Sequence, residues 1–429
     1  MRTLPKNYPL RQALNDEVHA RPPEPLKPPM RISFLALLTE WPPGNRDIRP
    51  IADLARRFGV EPPKADVRHF SADFGAFRLK WERHTEFARY KFMVPGGREQ
   101  PFTRTAMESV PEDWLAELTG ETIVAAHVAL ARNRRQTIDN EQIAARFFDG
   151  NTLVGAQVGG EAATAFTDFR IHGDGFSRFL VYDRSMTERQ AGRYVQRLLE
   201  IDTYRILALL ALPEAQRLGP KLAGFESDLA EITNAMAGGG GQDETTLLDR
   251  LTGLAAAIEN CRSNTLYRFR ATAAYYALVR RRIDELRATR IEGLQTFGEF
   301  TGRRLAPAIN TCEAAATTLN VLSDRVADAT QLLSTRVGVI RERQNQALLE
   351  SMNRRARLQL RLQQTVEGLS IAAVTYYVVS LVAYAAKAAV KSGAAISPDI
   401  VTGLSIPVVA VLVALAVRRV RKQVTRKNR

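Results

Sequence analysis

The stretch DVRHFSADFGAFRLKWERHTEFARYKFMV, residues 66–94, alternates polar and apolar side chains along nearly its whole length. Phe77, Leu79 and Trp81 face one way, and Phe87 and Tyr90 recur in the run that follows. Period-two patterning with aromatic residues predicts antiparallel strands. Working outward, RISFLALLTEW (31–41) reads as an apolar strand, with a helix expected over 45–58. Downstream, VPEDWLAELTG suggests a short helix and ETIVAAHVALA another strand. Three more strands fit between Thr152 and Tyr182, broken at Val158-Gly159-Gly160 and at Gly173-Asp174-Gly175, both turn chemistry joining hairpins. Residues 31–184 therefore read as an α/β domain with a mixed or antiparallel sheet, in a chain of α+β class.

From Met186 onward the pattern is helical. TERQAGRYVQRLLEIDTYRILALLALP is amphipathic and ends at Pro213, and a second stretch reaches Met236. GGGGQDE (238–244) reads as a flexible linker. A phosphate loop would need a strand before it and a Lys-Ser/Thr pair after it, and neither is present. Helices resume over 245–301, giving a helical domain over 185–306. After Pro307, Leu319, Leu322, Val326, Ala329, Leu333, Val337 and Ile340 form a coiled-coil-like stripe within a stalk spanning 307–368. No proline follows until Pro398, so one helix, or two kinked near Gly338 or Gly368, runs on from there. Its stripe calls for partner helices from the same chain, from neighbouring subunits, or from both.

Residues 369–390 carry a single charge, Lys387, and residues 400–417 carry none. As helices they reach about 33 and 27 Å, against a hydrocarbon core of roughly 30 Å. They predict a transmembrane hairpin over 369–417. The net charge is +14, and the tail RRVRKQVTRKNR (418–429) supplies half of it. Arg418, Arg419, Arg421 and Lys422 lie after the hairpin, and Arg354, Arg355, Arg357 and Arg361 before it. The positive-inside rule then places both termini in the cytoplasm. These basic clusters point to anionic lipid headgroups as the partner, and away from nucleic acid. The N-terminus lacks the apolar run of a signal peptide, and the two cysteines, Cys261 and Cys312, do not suggest a disulfide framework.

Chemistry-bearing motifs are sparse. The five histidines (His19, His69, His84, His127, His172) show no zinc-ligand spacing, and Asp66 and His69 would face opposite sides of a strand. His172 precedes a Gly-Asp-Gly turn and is read as its cap. No metal, cofactor or catalytic residue is assigned. The arm LNDEVHARPPEPLKPP (14–29) packs Glu17, His19 and Arg21 ahead of five prolines. Pro22 ends any helix there, and acid/base work requires convergence in a shielded pocket. The arm, residues 1–30, is thus read as docking or ligand-contacting. On the first span, Tyr376, Ser380, Tyr384 and Lys387 fall within about 80° of one another on a helical wheel. Packing against the second span, with Lys387 snorkelling, accounts for them, and lining a polar path is the alternative.

PLRQALNDEVHARPPEPL, LLEIDTYRILALLALP and ESMNRRARLQLRLQQTVEGLSIAAVTYYVVSLVAY resemble a proteobacterial family of uncharacterised membrane-anchored proteins. That resemblance implies a bacterial inner-membrane location. The layout is also similar to CorA-type cation channels, although AAVKSGAAISPD stands where those carry Gly-Met-Asn. It is similar as well to mitochondrial and sporulation-related membrane scaffolds. The expected function is a non-enzymatic oligomeric scaffold or sensor, homo-oligomeric and with an unidentified protein partner for the arm. A CorA-like channel or transporter ranks second, and an enzyme near the EVHARP arm third.

Overall fold

The computed structural model describes residues 5–19, 22–39, 48–65, 67–96, 101–132, 139–238, 243–391 and 397–427, without the side chains of 13, 17–19 and 421–427. The chain divides into two compact units, Met1–Thr330 and Gln331–Arg429.

The first unit is built on a nine-stranded mixed sheet. Its strands are β1 (Met30–Leu38), β2 (His69–Asp73), β3 (Arg78–Arg83), β4 (Phe87–Pro95), β5 (Glu121–Arg132), β6 (Val154–Val158), β7 (Ala163–Thr167), β8 (Ser177–Asp183) and β9 (Thr289–Arg290). Their order is β2-β3-β4-β1-β5-β8-β7-β6-β9. Among these neighbours only β5 and β8 run parallel. The expected hairpin at Gly159-Gly160 is there, both glycines at positive φ.

The helices are α1 (Arg11–His19), α2 (Ile48–Arg57), α3 (Glu112–Ala116), α4 (Asn140–Phe147), α5 (Glu188–Leu209), α6 (Leu212–Ala237), α7 (Glu244–Glu285), α8 (Phe297–Arg304), α9 (Ala306–Lys391) and α10 (Pro398–Lys427). Local sequence sets several boundaries. Thr187 and Gln190 close a capping box on α5, and Thr296 and Glu299 do the same on α8. Asp243, the last acidic residue before α7, caps it through the Thr245 amide.

Strand alternation sends residues to two faces of the sheet. On one face Phe34, Phe87, Val128 and Phe179 pack with Val195, Leu198 and Leu199 of α5. On the other, Leu79, Trp81, Tyr90 and Phe92 pack with Ile51 and Leu54 of α2 and with Trp114. A smaller cluster of Ile143, Phe148, Phe166 and Leu180 lies near α4.

One difference from the sequence reading is informative. Helix is not continuous after residue 186, because Thr289–Arg290 joins the sheet edge beside β6. Two residues carry no periodic signature, so this pairing exists only in the fold. The stalk is a single helix, α9, continuous through Gly338 and Gly368, since a helical glycine costs only about 1 kcal/mol. Of its stripe, Leu319, Leu322, Val326 and Ala329 are buried, whereas Val337 and Ile340 are half-buried. The four glycines of the linker, 238–241, are described only at Gly238.

The arm crosses the first turns of α5. The Leu26 amide donates to the Glu188 carbonyl at 2.9 Å. A Cβ on Gly192 would collide with the Glu24 carbonyl, a backbone atom that cannot swing aside. Gly192→Ala should therefore cost about 1–3 kcal/mol by overpacking. Denaturant unfolding and hydrogen exchange at Leu26 would read it, and unchanged exchange there would show that the arm does not press on α5.

Candidate functional site: a buried charge cluster beneath the arm

On the face covered by α5, strands β3 and β4 place charges where apolar residues would be expected. Lys80, Glu82, Arg89 and Lys91 are all buried. Strand register sets Lys80 opposite Lys91 and Glu82 opposite Arg89. The Lys80 ammonium donates to the Pro22 carbonyl at 2.5 Å and lies 3.1 Å from Glu82 Oε1. Arg89 Nε donates to Glu82 Oε2, and its Nη1 reaches Glu200 Oε1 of α5 at 3.3 Å. Glu200 also accepts from Gln196 at 2.8 Å and from Arg282 of α7. Glu24 of the arm accepts from the Ser71 hydroxyl at 2.8 Å and pairs with Arg78 at 2.8 Å. At the β3–β4 turn, Glu86 pairs with Arg268 of α7 at 3.1 Å. The arm, the sheet, α5 and α7 are thus joined by one ionic network.

Burial by itself would neutralise these groups, and their partners oppose it. Burial pushes the Glu82 carboxyl up, but Arg89 and Lys80 overcome this and hold it at about 2. Burial disfavours the Arg89 cation, yet Glu82 and Glu200 raise its pKa above the usual arginine range. For Lys91 the compensation falls short: burial, with Lys80 adding repulsion, outweighs the attraction of Glu82 and Glu24 and pushes it down to about 8. A cavity of about 20 Å³ opens among Phe34, Lys80, Glu82, Arg89, Lys91, Gln196 and Leu199.

A second polar constellation lies on the opposite face. Ser33 Oγ and His127 Nδ1 are 2.9 Å apart, and Asp174 Oδ2 is 3.9 Å from His127 Nε2. The order is reminiscent of a hydrolytic triad, but Ser33 is fully buried and its Oγ accepts from the Met107 amide at 3.0 Å. Phe176 stacks on the imidazole at 3.9 Å, and burial holds His127 neutral, down to about 4. The hydroxyl is a bridge between strand and loop. Nearby, His172 lies between Asp149 and Asp168, at 2.8 and 3.0 Å. Its backbone closes the Gly-Asp-Gly turn, while its side chain ties that turn to the end of α4. Among the described residues no three His, Cys, Asp or Glu side chains converge as metal ligands, and Cys261 and Cys312 are free thiols.

The residues singled out in the sequence are placed as follows. Arg21, and the side chains of Glu17, His19, Arg421 and Lys422, lie outside the described residues, as does Asp66. Arg354, Arg355, Arg357, Arg361, Arg418 and Arg419 are exposed. Tyr376, Tyr384 and Lys387 are exposed on α9, and Ser380 donates to the Tyr376 carbonyl of its own helix at 2.8 Å. The charge cluster was not anticipated. Its available signal was acidic Glu200 and Asp202 within the largely apolar LLEIDTYRILALL, together with charges alternating through RLKWER and FARYK.

Fold and site together define a mixed α+β protein with an ion network buried beneath its N-terminal arm and two long apolar helices near its C-terminus. The chain belongs to the family described as a protein of unknown function (DUF3422), whose model matches residues 6–424. No curated protein and no solved structure matches it.

Two measurements test the cluster. Glu200→Ala strips a buried partner from both Arg89 and Arg282 and should cost about 3–5 kcal/mol in urea unfolding. Lys91 holds its proton less tightly in the folded chain, at about 8, than its ordinary 10.5. Between those values the unfolded chain binds more protons, so stability rises with pH, by about 3 kcal/mol at most. Lys91→Met should remove that rise, and parallel pH profiles for the two proteins would refute the assignment.

Proposed function

We propose that the protein is a membrane-anchored, non-enzymatic scaffold or sensor that acts as a homo-oligomer in a bacterial inner membrane. The observation that carries this reading is the exposure of its most apolar helical segments. α9 and α10 each contain a window long and apolar enough to cross a bilayer, and none of the α10 window is buried. Leu369, Leu381 and Leu404 are each more than two-thirds exposed. Water is a poor solvent for such surface, at roughly 25 cal/mol per Å², so hydrocarbon or other helices are expected to cover it.

Charge placement supports two spans with both termini in the cytoplasm. Arg354, Arg355, Arg357 and Arg361 precede the first span, and the basic tail follows the second. Near an anionic surface each contributes about 1 kcal/mol. The non-enzymatic reading is supported by the buried cluster, whose carboxylates are committed to neighbouring cations. Oligomerisation is supported by α9 between the two units' boundary and the first span, where Leu348, Leu349, Met352, Leu358 and Leu362 are exposed. A channel is the second reading, favoured by the shared exposed face of Tyr376, Tyr384 and Lys387.

After cell disruption the full chain should stay with membranes through a high-salt and carbonate wash, and a chain lacking 369–417 should not. Release of the full chain by salt alone would sink the two-span reading. Native mass spectrometry in nanodiscs separates the remaining readings. A dimer supports the scaffold, and a closed ring of four or more brings the ion path forward for flux measurements.

A further inference from the structure

The recess beneath α5 is unbalanced in charge. Its lining contains three cations, Lys80, Arg89 and Lys91, against one carboxylate, Glu82. Lys80 and Arg89 are occupied by Pro22, Glu82 and Glu200. Lys91 is only 6 % exposed, and among the described residues its ammonium makes no hydrogen bond or close ion pair, Glu82 and Glu24 attracting it only from a greater distance. It also stands directly opposite Lys80 across the β3–β4 ladder. Facing like charges destabilise a strand pair, and a buried unpaired charge is more costly still.

We propose that this recess binds one small monovalent anion of halide size, chloride being the simplest, between the Lys80 and Lys91 ammonium groups. Size and lining select that class. About 20 Å³ of cavity space suits one small occupant. Phe34 and Leu199 add apolar wall that suits a weakly hydrated ion. Water is the other occupant of that size. It would satisfy hydrogen bonds, including the unpartnered Gln196 Oε1, without balancing charge. Glu200, Glu24 and Arg282 complete the charged surroundings from α5, the arm and α7. The proposal is independent of the membrane reading, since all these residues belong to the first unit.

The test is thermal unfolding of the full chain in nanodiscs, with sodium chloride or bromide replacing sodium gluconate at constant ionic strength. Wild type should show a saturable rise of about 2–5 °C, and Lys91→Met should lose the saturable part. Should that variant fail to fold, chlorine NMR on the wild type decides: line broadening reversed by bromide supports the site. No saturable shift and no broadening would mean a water only, and a shift kept in Lys91→Met would place any anion elsewhere. Either result overturns the proposal.

Discussion

The ion pair between Arg89 of β4 and Glu200 of α5 is the contact on which the arrangement of the first unit turns. A guanidinium on the covered face of a sheet is tolerable only with carboxylates in reach. Arg89 has one on its own sheet, Glu82, and one on the helix above, Glu200. Glu200 in turn recruits Arg282, which fixes α7 beside α5. Because a buried partner cannot be removed without stranding a charge, these elements fix one another's positions. Apolar packing alone would tolerate small slips between helix and sheet.

The arm takes part in the same constraint. Its described part packs on its own chain: Pro22 and Glu24 accept from Lys80, Ser71 and Arg78, and the backbone at Glu24 lies against Gly192. Only glycine leaves room for that approach, so one residue of α5 and one carbonyl of the arm specify each other. Two of the three stretches that carried the family resemblance, the arm and LLEIDTYRILALLALP, meet at this network.

The second unit poses a different physical problem. Its helices satisfy their own backbone, as any bilayer-crossing segment must, and Ser380 returns its hydroxyl to the helix it belongs to. What those helices lack is cover for their side chains. The first unit buries its apolar side chains in packed cores, whereas the apolar windows of α9 and α10 are almost wholly exposed.

Much of this was legible in the sequence, because it depends on local pattern. Alternation over 66–94 gave β2, β3 and β4. Glycine turns gave the β6–β7 hairpin, the absence of proline between 307 and 398 gave α9, and uninterrupted apolar runs gave the two windows long and apolar enough to cross a membrane. Pattern assigns each residue to a face and leaves open what covers that face. Lys80, Glu82, Arg89 and Lys91 occupy the polar phase of their strands, which in isolation reads as a solvated surface. Only tertiary structure laid α5, α7 and the arm over them, turning solvated charges into a buried network, and only it brought Thr289–Arg290 to the sheet edge. The sequence by itself determined most of the elements and the two helices long and apolar enough to cross a membrane, since these follow from spacing and hydrophobicity. The site was decided by contacts between residues more than a hundred positions apart, such as Arg89 and Glu200, and no local period records such contacts.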